Sequence, residues 1–186
     1  MFIRSERLFL RPGWPEDWQE LLERIDDEAV AKNLAKVPWP YTEGDARWFA
    51  GQPQHPRMPH FFVTLPSSQE PARIIGCVGL AEDEGEAELG YWFAREHWGR
   101  GYASEAARAV ISLARTLGHS VLRAGHFVDN PASGRVLRKV GFRPTGEMRK
   151  RFSLARGREV DSVEHRLELA DPCNCDGPDR MFKRAA

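Results

Sequence analysis

Three things that would fix the class of this chain at once are scarce in it. Cysteine is the first: there are only 3 in 186 residues. They are Cys77, Cys173 and Cys175, an odd number with two of them one residue apart, so no disulfide framework is expected and a reducing compartment fits. Cys173 and Cys175 lack the matching Cys or His pair that a four-ligand zinc site needs, and no metal is expected. Net charge is the second, since 27 Lys plus Arg offset 27 Asp plus Glu. A balanced chain has little attraction for a phosphate backbone or an anionic bilayer, which disfavours nucleic acid and membrane as partners. The third is a long apolar run. Ala106 to Leu117 is interrupted by Arg108, Ser112 and Arg115, and nothing approaches the roughly 20 residues that span a bilayer. The opening Met-Phe-Ile-Arg-Ser-Glu-Arg-Leu has neither the apolar run nor the cleavage site of a signal peptide, so the cytoplasm is the expected compartment.

What is present is a core. With 41% apolar residues, a chain of this size buries roughly 70% of its unfolded surface without a staple. Residues 1–170 are expected to form one domain. Residues 171–186, with Asp-Pro, Asp-Gly-Pro and a basic end, are expected to be a flexible tail.

Alternation of Ile3, Leu8 and Leu10 with arginines predicts an opening strand that Pro12-Gly13 stops. Helical spacing then covers Pro15 to Arg24, and Asp26 or Asp27 is expected to cap a short helix through Leu34. Thr42, followed by acids at 43 and 45, caps a third helix. Phe61 to Leu65, Ile74 to Leu80 and Ala87 to Phe93 predict an antiparallel meander. Ala103, Ala106, Ala107, Val110, Ile111, Ala114 and Leu117 form one apolar stripe of a long helix that Gly118 closes. Strand Val121 to Val128 leads to a helix with Asp129 or Asn130 as cap and Pro131 in its first turn. Phe142 to Phe152 and Val160 to Leu169 complete the pattern as a hairpin. The whole is α/β, mixed α and β around a single sheet.

Two segments carry chemistry. In Trp98-Gly99-Arg100-Gly101-Tyr102-Ala103-Ser104 a glycine turn joins a strand end to a long helix. Its N–H groups lie unpaired at the positive end of the helix dipole, which suits a phosphate or diphosphate. The segment lacks the Lys-Ser/Thr of a P-loop and the third small residue of a dinucleotide fingerprint. A tight turn with no ligand fits the same residues equally well. In Asn130-Pro-Ala-Ser133 the two polar side chains start a helix directly after a strand. They can project from the carboxyl edge of the sheet, where open sheets bind ligands. They can equally be ordinary helix punctuation.

Together the two segments resemble the GNAT acetyltransferase superfamily, and within it the RimJ/RimL-type N-terminal acetyltransferases. The family's loop has the form Gln/Arg-x-x-Gly-x-Gly/Ala, and Trp98 to Ala103 is similar to it, with Trp98 where Gln or Arg is usual. Asn130 to Phe142 resembles the branch's Asn-x-x-Ser-x-x-x-Leu/Met-x-Lys-x-Gly-Phe, its aliphatic position shifted by one. Ser5-Glu-Arg-Leu-Phe-Leu-Arg-Pro12 is similar to the branch's first strand. The resemblance implies a mostly antiparallel seven-stranded sheet, splayed at the strands ending near Phe93 and Val128, with helices on both faces. It implies acetyl-CoA as cosubstrate, its pantetheine on backbone groups of Trp92, Phe93 and Ala94, and its diphosphate on the loop Trp98, Gly99, Arg100, Gly101, Tyr102, Ala103 and Ser104. Asn130 would contact the pantetheine, Ser133 would protonate the departing thiolate, and Tyr102 is not placed to replace it.

Glu88, just before Leu89-Gly90-Tyr91, is the favoured base, with Glu159 and Asp161 as alternatives. A solvated place in the acidic cluster 82–88 is the competing account of Glu88. The histidines His97, His126 and His165 are set aside as lone groups. The acceptor site is expected among the N-terminal helices, the 51–59 loop and the last hairpin, where Trp14, Trp18, Trp39 and Trp48 are candidates for core or pocket lining. The acceptor would be a protein N-terminal amine, or a small-molecule amine such as an aminoglycoside or polyamine. A non-catalytic acetyl-CoA-binding module is the remaining alternative. Monomer and homodimer both stay open. Arg143, Arg149, Lys150, Arg151, Arg156 and Arg158 make the last hairpin basic, the one local feature that favours RNA.

Overall fold

The computed structural model describes residues 1–67 and 72–169, so the expected tail, with Cys173 and Cys175, lies outside the described residues. The opening segment forms two strands rather than one. Ser5 N–H donates to Leu8 O at 3.0 Å, and this turn folds β1 (Ile3–Arg4) back on β2 (Phe9–Arg11). Among the described residues the sheet therefore has eight strands where seven were expected. Helices α1 (Trp18–Ile25), α2 (Glu28–Ala31) and α3 (Glu43–Ala50) follow, α2 capped by Asp27 and α3 by Thr42 in a capping box with Asp45. The meander is β3 (His60–Leu65), β4 (Arg73–Asp83) and β5 (Glu86–Phe93). Next come α4 (Tyr102–Thr116), β6 (Val121–Phe127), α5 (Pro131–Lys139), β7 (Arg143–Ser153) and β8 (Arg158–Glu168).

Strand order is β1-β2-β3-β4-β5-β6-β8-β7, antiparallel throughout except that β5 and β6 run parallel. Period-2 alternation sends Phe61 to one face and Phe62 to the other, both fully buried, because helices cover both faces. On one face Ala106, Val110, Ala114 and Leu137 of α4 and α5 pack over Phe61, Val78 and Leu122. On the other, Leu21, Ile25, Ala46 and Ala50 of α1 and α3 pack over Phe62, Ile74 and Trp92. Each large side chain among them stabilises by about 1.5–3 kcal/mol. A register shift opposite Val63/Thr64 leaves Ile75 as an extra residue in β4, and beside it only glycine fits. A Cβ on Gly76 would stand 2.3 Å from Trp92 O.

The sheet opens between β5 and β6. They pair only at Ala87 with Leu122 and Glu88 with Arg123. Beyond that β5 stays with β4 as far as Phe93, while β6 stays with β8 as far as Phe127. Each strand follows its antiparallel partner, and the two diverge. The inner edge of β5 thereby turns main-chain groups toward a gap instead of a neighbouring strand, an arrangement that needs another hydrogen-bonding partner.

Candidate active site

The gap leads into a cavity of about 700 Å³. Of the residues expected to bind acetyl-CoA, and of the favoured pair Ser133 and Glu88, all border it except Ala94 and Arg100. Ala94 N–H is used inside the sheet, donating to Ile75 O at 2.9 Å. The same bond makes Gly76 and Phe93 a non-hydrogen-bonded pair of the β4–β5 ladder, so the amide and carbonyl of Phe93, and by alternation those of Tyr91, point to the gap. The Phe93 carbonyl accepts from Trp98 Nε1 at 2.7 Å. Trp98 thus ties the loop to the strand end, a contact made by its own indole where the family pattern has Gln or Arg.

The loop has the geometry of an anion cradle. Gly99 and Gly101 have φ of 75° and 81°, left-handed values that glycine adopts at little cost. Gly101 is the N-cap of α4 and offers no side-chain cap, whereas Asp27, Thr42 and Asn130 each cap their own helix by a side-chain oxygen. The first-turn N–H groups of α4 are therefore left to solvent or a ligand, at the positive end of a 15-residue helix. A diphosphate fits that donor set, and an amide-bearing pantetheine chain fits the strand edge beside it.

On the α4–α5 face, Asn130 Oδ1 accepts from Ser133 N–H at 3.2 Å. Asn130 is therefore the helix cap, and it borders the cavity as well. Ser133 Oγ lies 2.8 Å from Tyr91 Oη, and Tyr91 O–H also lies 3.3 Å from Ser133 O. Burial pushes the Tyr91 phenol up to about 12, with the Ser133 hydrogen bond opposing, so it stays protonated at neutral pH. Tyr91 is the functional neighbour that sequence reasoning missed. Its one signal was its place two residues from Phe93 on the same side of β5. His126, set aside as a lone group, borders the cavity too. Its Nδ1 donates to Phe127 O at 2.9 Å, and its Nε2 packs where a Cβ on Gly134 would stand, at 2.5 Å.

Glu88 lies on the opposite face of β5 from Tyr91, by strand alternation. It is not solvated. Its Oε1 is 2.6 Å from Arg151 Nη1, and only 15% of its side chain is exposed. The same guanidinium grips fully buried Glu164, Nε to Oε1 at 3.1 Å and Nη2 to Oε2 at 2.8 Å. Asp83 Oδ2 lies 3.6 Å away. Burial raises the Glu88 carboxyl above its ordinary value, Arg151 opposes the rise, and Asp83 and Glu164 add to it. Gly125 makes room for this cluster, since a Cβ there would meet Ser162 Oγ at 2.8 Å and Glu164 Oε1 at 3.1 Å. Ser133 and Glu88 thus border one cavity from its two sides. Glu159 and Asp161 do not border it.

Half of the six basic residues of the hairpin are spent internally. Arg149 pairs with Glu84 at 2.7 Å, Arg151 with Glu88 and Glu164, and Arg156 with Asp129 at 2.7 Å. Its tip is tied to the segment after α2, through Leu154 N–H to Ala35 O and Arg156 Nε to Lys32 O. The apolar wall on that side comes from Ile25, Val30, Leu34, Tyr41 and Phe49, with Trp92. The tryptophans singled out in the N-terminal region do not contribute. Trp14, Trp39 and Trp48 are exposed, and Trp18 lies under the Arg47 guanidinium, 3.7 Å from its ring centre. Cys77 borders the cavity, but burial pushes its thiol up to about 12. It stays protonated at neutral pH and is a poor nucleophile.

A split sheet whose cavity is bordered by helix-start amides on one side and a carboxylate on the other suits a transferase that brings an extended anionic donor to an acceptor. The family model for the acetyltransferase (GNAT) domain matches residues 7–143. The chain is 37% identical over 154 residues to a Bacillus subtilis protein named the uncharacterized N-acetyltransferase YoaA, covering 80% of this chain and 86% of that one. Among solved structures it is similar to a GNAT-family acetyltransferase from Bacillus anthracis, with TM-score 0.76 and 26% identity over 90% of this chain and 98% of that one. It shares its fold with RimL, the ribosomal L7/L12 α-N-protein acetyltransferase in complex with coenzyme A, at TM-score 0.75 and 20% identity over 91% and 98% of the two chains. The chain belongs to the GNAT acetyltransferase family. It is an acetyltransferase, acetyl-CoA is its acetyl donor, and an amine is its acceptor.

Proposed function

We propose that the acceptor is a protein N-terminal α-amine, as in the RimJ/RimL branch. The observation that carries this is the nature of the base the site offers: Glu88, held by Arg151 at 2.6 Å, is the one carboxylate that lines the cavity among the described residues, and a carboxylate is a weak base beside an amine. A weak base suits an amine that is easily deprotonated. At pH 7 a free α-amine of pKa near 7.7–8.0 costs about 1.2 kcal/mol to deprotonate, against about 4.6 kcal/mol for a lysine amine near 10.4.

Acetyl-CoA supplies an acetyl carbonyl activated as a thioester. Backbone groups of Tyr91 and Phe93 hold its pantetheine arm, with Asn130 beside them, and the amides of Gly99 to Ser104 hold its diphosphate. Glu88 takes a proton from the incoming ammonium. Ser133 Oγ gives a proton to the departing sulfur, a fair leaving group with thiol pKa about 8.5 that needs only modest help. Tyr91 Oη holds Ser133 in place and can resupply the proton.

A small cationic amine is the second reading. Glu88 borders the cavity with Asp83 and Glu164 behind it on the same Arg151, and a carboxylate at the wall can pair with a cationic acceptor. Incubation with acetyl-CoA and a panel of N-terminal peptides, lysine-bearing blocked peptides, polyamines and aminoglycosides, read by mass spectrometry, tests both. Acetylated α-amines support the first reading. Products only on polyamines or aminoglycosides overturn it in favour of the second.

A further inference from the structure

The cradle is bonded to a segment from the far end of the chain. Glu105, one turn into α4, accepts Ser5 Oγ–H at 2.7 Å and Arg7 N–H at 2.8 Å. It also accepts Arg7 Nε–H at 2.8 Å and faces Arg7 Nη2 at 2.7 Å. The same guanidinium donates through Nη1 to Arg100 O at 3.1 Å. Its carbon lies 4.7 Å from the Tyr102 ring centre, and its Nη2 stands 3.6 Å from where a Cβ on Gly101 would be. Arg7 therefore bridges a carboxylate of the first helical turn and a carbonyl of the loop.

The charge arrangement calls for an explanation. A carboxylate near a helix N-terminus normally helps the helix by meeting its positive end. Here that end is where a diphosphate is to bind, and an unpaired Glu105 would compete with the anion and repel it. The Arg7 side chain is 45% exposed, and an ion pair that open contributes little to stability. Its effect falls instead on the loop beside it.

We propose that Arg7 is a positioning residue of the coenzyme A site: it cancels the Glu105 charge and holds the Arg100 carbonyl, so that the amides of Gly99 to Ser104 meet the phosphates without a competing carboxylate. This rests on the reading of that loop as the phosphate cradle.

Binding of coenzyme A by isothermal titration calorimetry tests the role without any turnover. Arg7→Ala, and beside it Arg7→Gln, which keeps a donor and loses the charge, should weaken coenzyme A roughly tenfold at low salt, in the range of a charge acting on a helix terminus. The deficit should shrink at high salt. Adding Glu105→Gln to either variant should restore affinity to within about threefold of wild type, because a glutamine still accepts from Ser5 and from the residue 7 amide but carries no charge to cancel. If Arg7 only tied the segment from Ser5 to Arg7 to α4, the double variants would bind no better than the single ones. That result, or wild-type affinity in Arg7→Ala and Arg7→Gln, overturns the proposal. Amide NMR shifts of the wild-type protein on coenzyme A addition separate the two levels. If the Gly99 to Ser104 amides do not move, the cradle reading fails and takes this role with it. If they move while Glu105→Gln gives no rescue, only the role of Arg7 falls.

Discussion

Arg151→Met is the substitution whose consequence the structure fixes most sharply. Arg151 gives three of its donors to two carboxylates, a bidentate grip on Glu164 at 2.8 and 3.1 Å and a 2.6 Å contact with Glu88. The Glu164 side chain is fully buried, while that of Glu88 keeps 15% exposure. Methionine keeps much of the apolar stem and removes the charge, leaving Glu164 as an uncompensated buried anion. Breaking a buried pair in this way costs about 3–5 kcal/mol. For a domain of this size each kcal/mol shifts the melting temperature by about 2–4 °C, so a loss of about 6–20 °C is expected. Removing both charges is different in kind: Arg151→Met with Glu164→Leu replaces the pair by apolar volume, which is often neutral or stabilising. The double variant should recover part of the loss, since the fully buried charge is gone while Glu88 and Asp83 still lack Arg151. Urea unfolding followed by far-UV circular dichroism measures both variants. An Arg151→Met protein within about 1 kcal/mol of wild type, or a double variant no more stable than the single, would refute the reasoning.

Other outcomes follow from the same geometry. Ser133→Ala should lower kcat roughly ten- to hundredfold with little change in coenzyme A affinity, since the thiolate needs only modest help; an unchanged kcat removes Ser133 from proton transfer. Tyr91→Phe keeps the ring and loses the 2.8 Å contact to Ser133, and should cost about fivefold in kcat, the worth of one hydrogen bond. With an α-amine peptide, kcat/KM of Glu88→Gln should rise about tenfold per pH unit up to about pH 8 and then level, the wild-type profile being flatter because Glu88 takes the ammonium proton, and a rise that continues to about pH 10 would point to a lysine-like amine instead. Burial raises the Glu88 carboxyl and Arg151 opposes the rise, and its proposed task is to take the proton of the ammonium form. The deficit of Glu88→Gln should therefore be largest near pH 6–7 and close once the amine deprotonates unaided, above about pH 8.5. A deficit independent of pH would mean that Glu88 acts only through Arg151.

The local elements and the position of the cradle follow from the amino-acid sequence alone. Caps at Asp27, Thr42 and Asn130, the apolar stripe of α4 and the glycines at 99 and 101 are dictated by neighbours a few residues away. Helix capping, 3.6-residue periodicity and left-handed φ are local physics, so these features are legible in the order of the residues. Everything that depends on register came from the tertiary fold. It split the opening strand at Ser5. It ended the β5–β6 pairing after Glu88 and Arg123, and so opened the cavity. It turned Glu88 from a member of an acidic run into the buried partner of Arg151, and it left Trp14, Trp39 and Trp48 in solvent. Tyr91 with Ser133, Arg151 with Glu164 and Arg7 with Glu105 meet across 42, 13 and 98 residues of chain. No short-range pattern encodes such pairs. Which side chain faces which depends on strand pairing and on the face each residue takes, and in a strand a one-residue slip reverses that face.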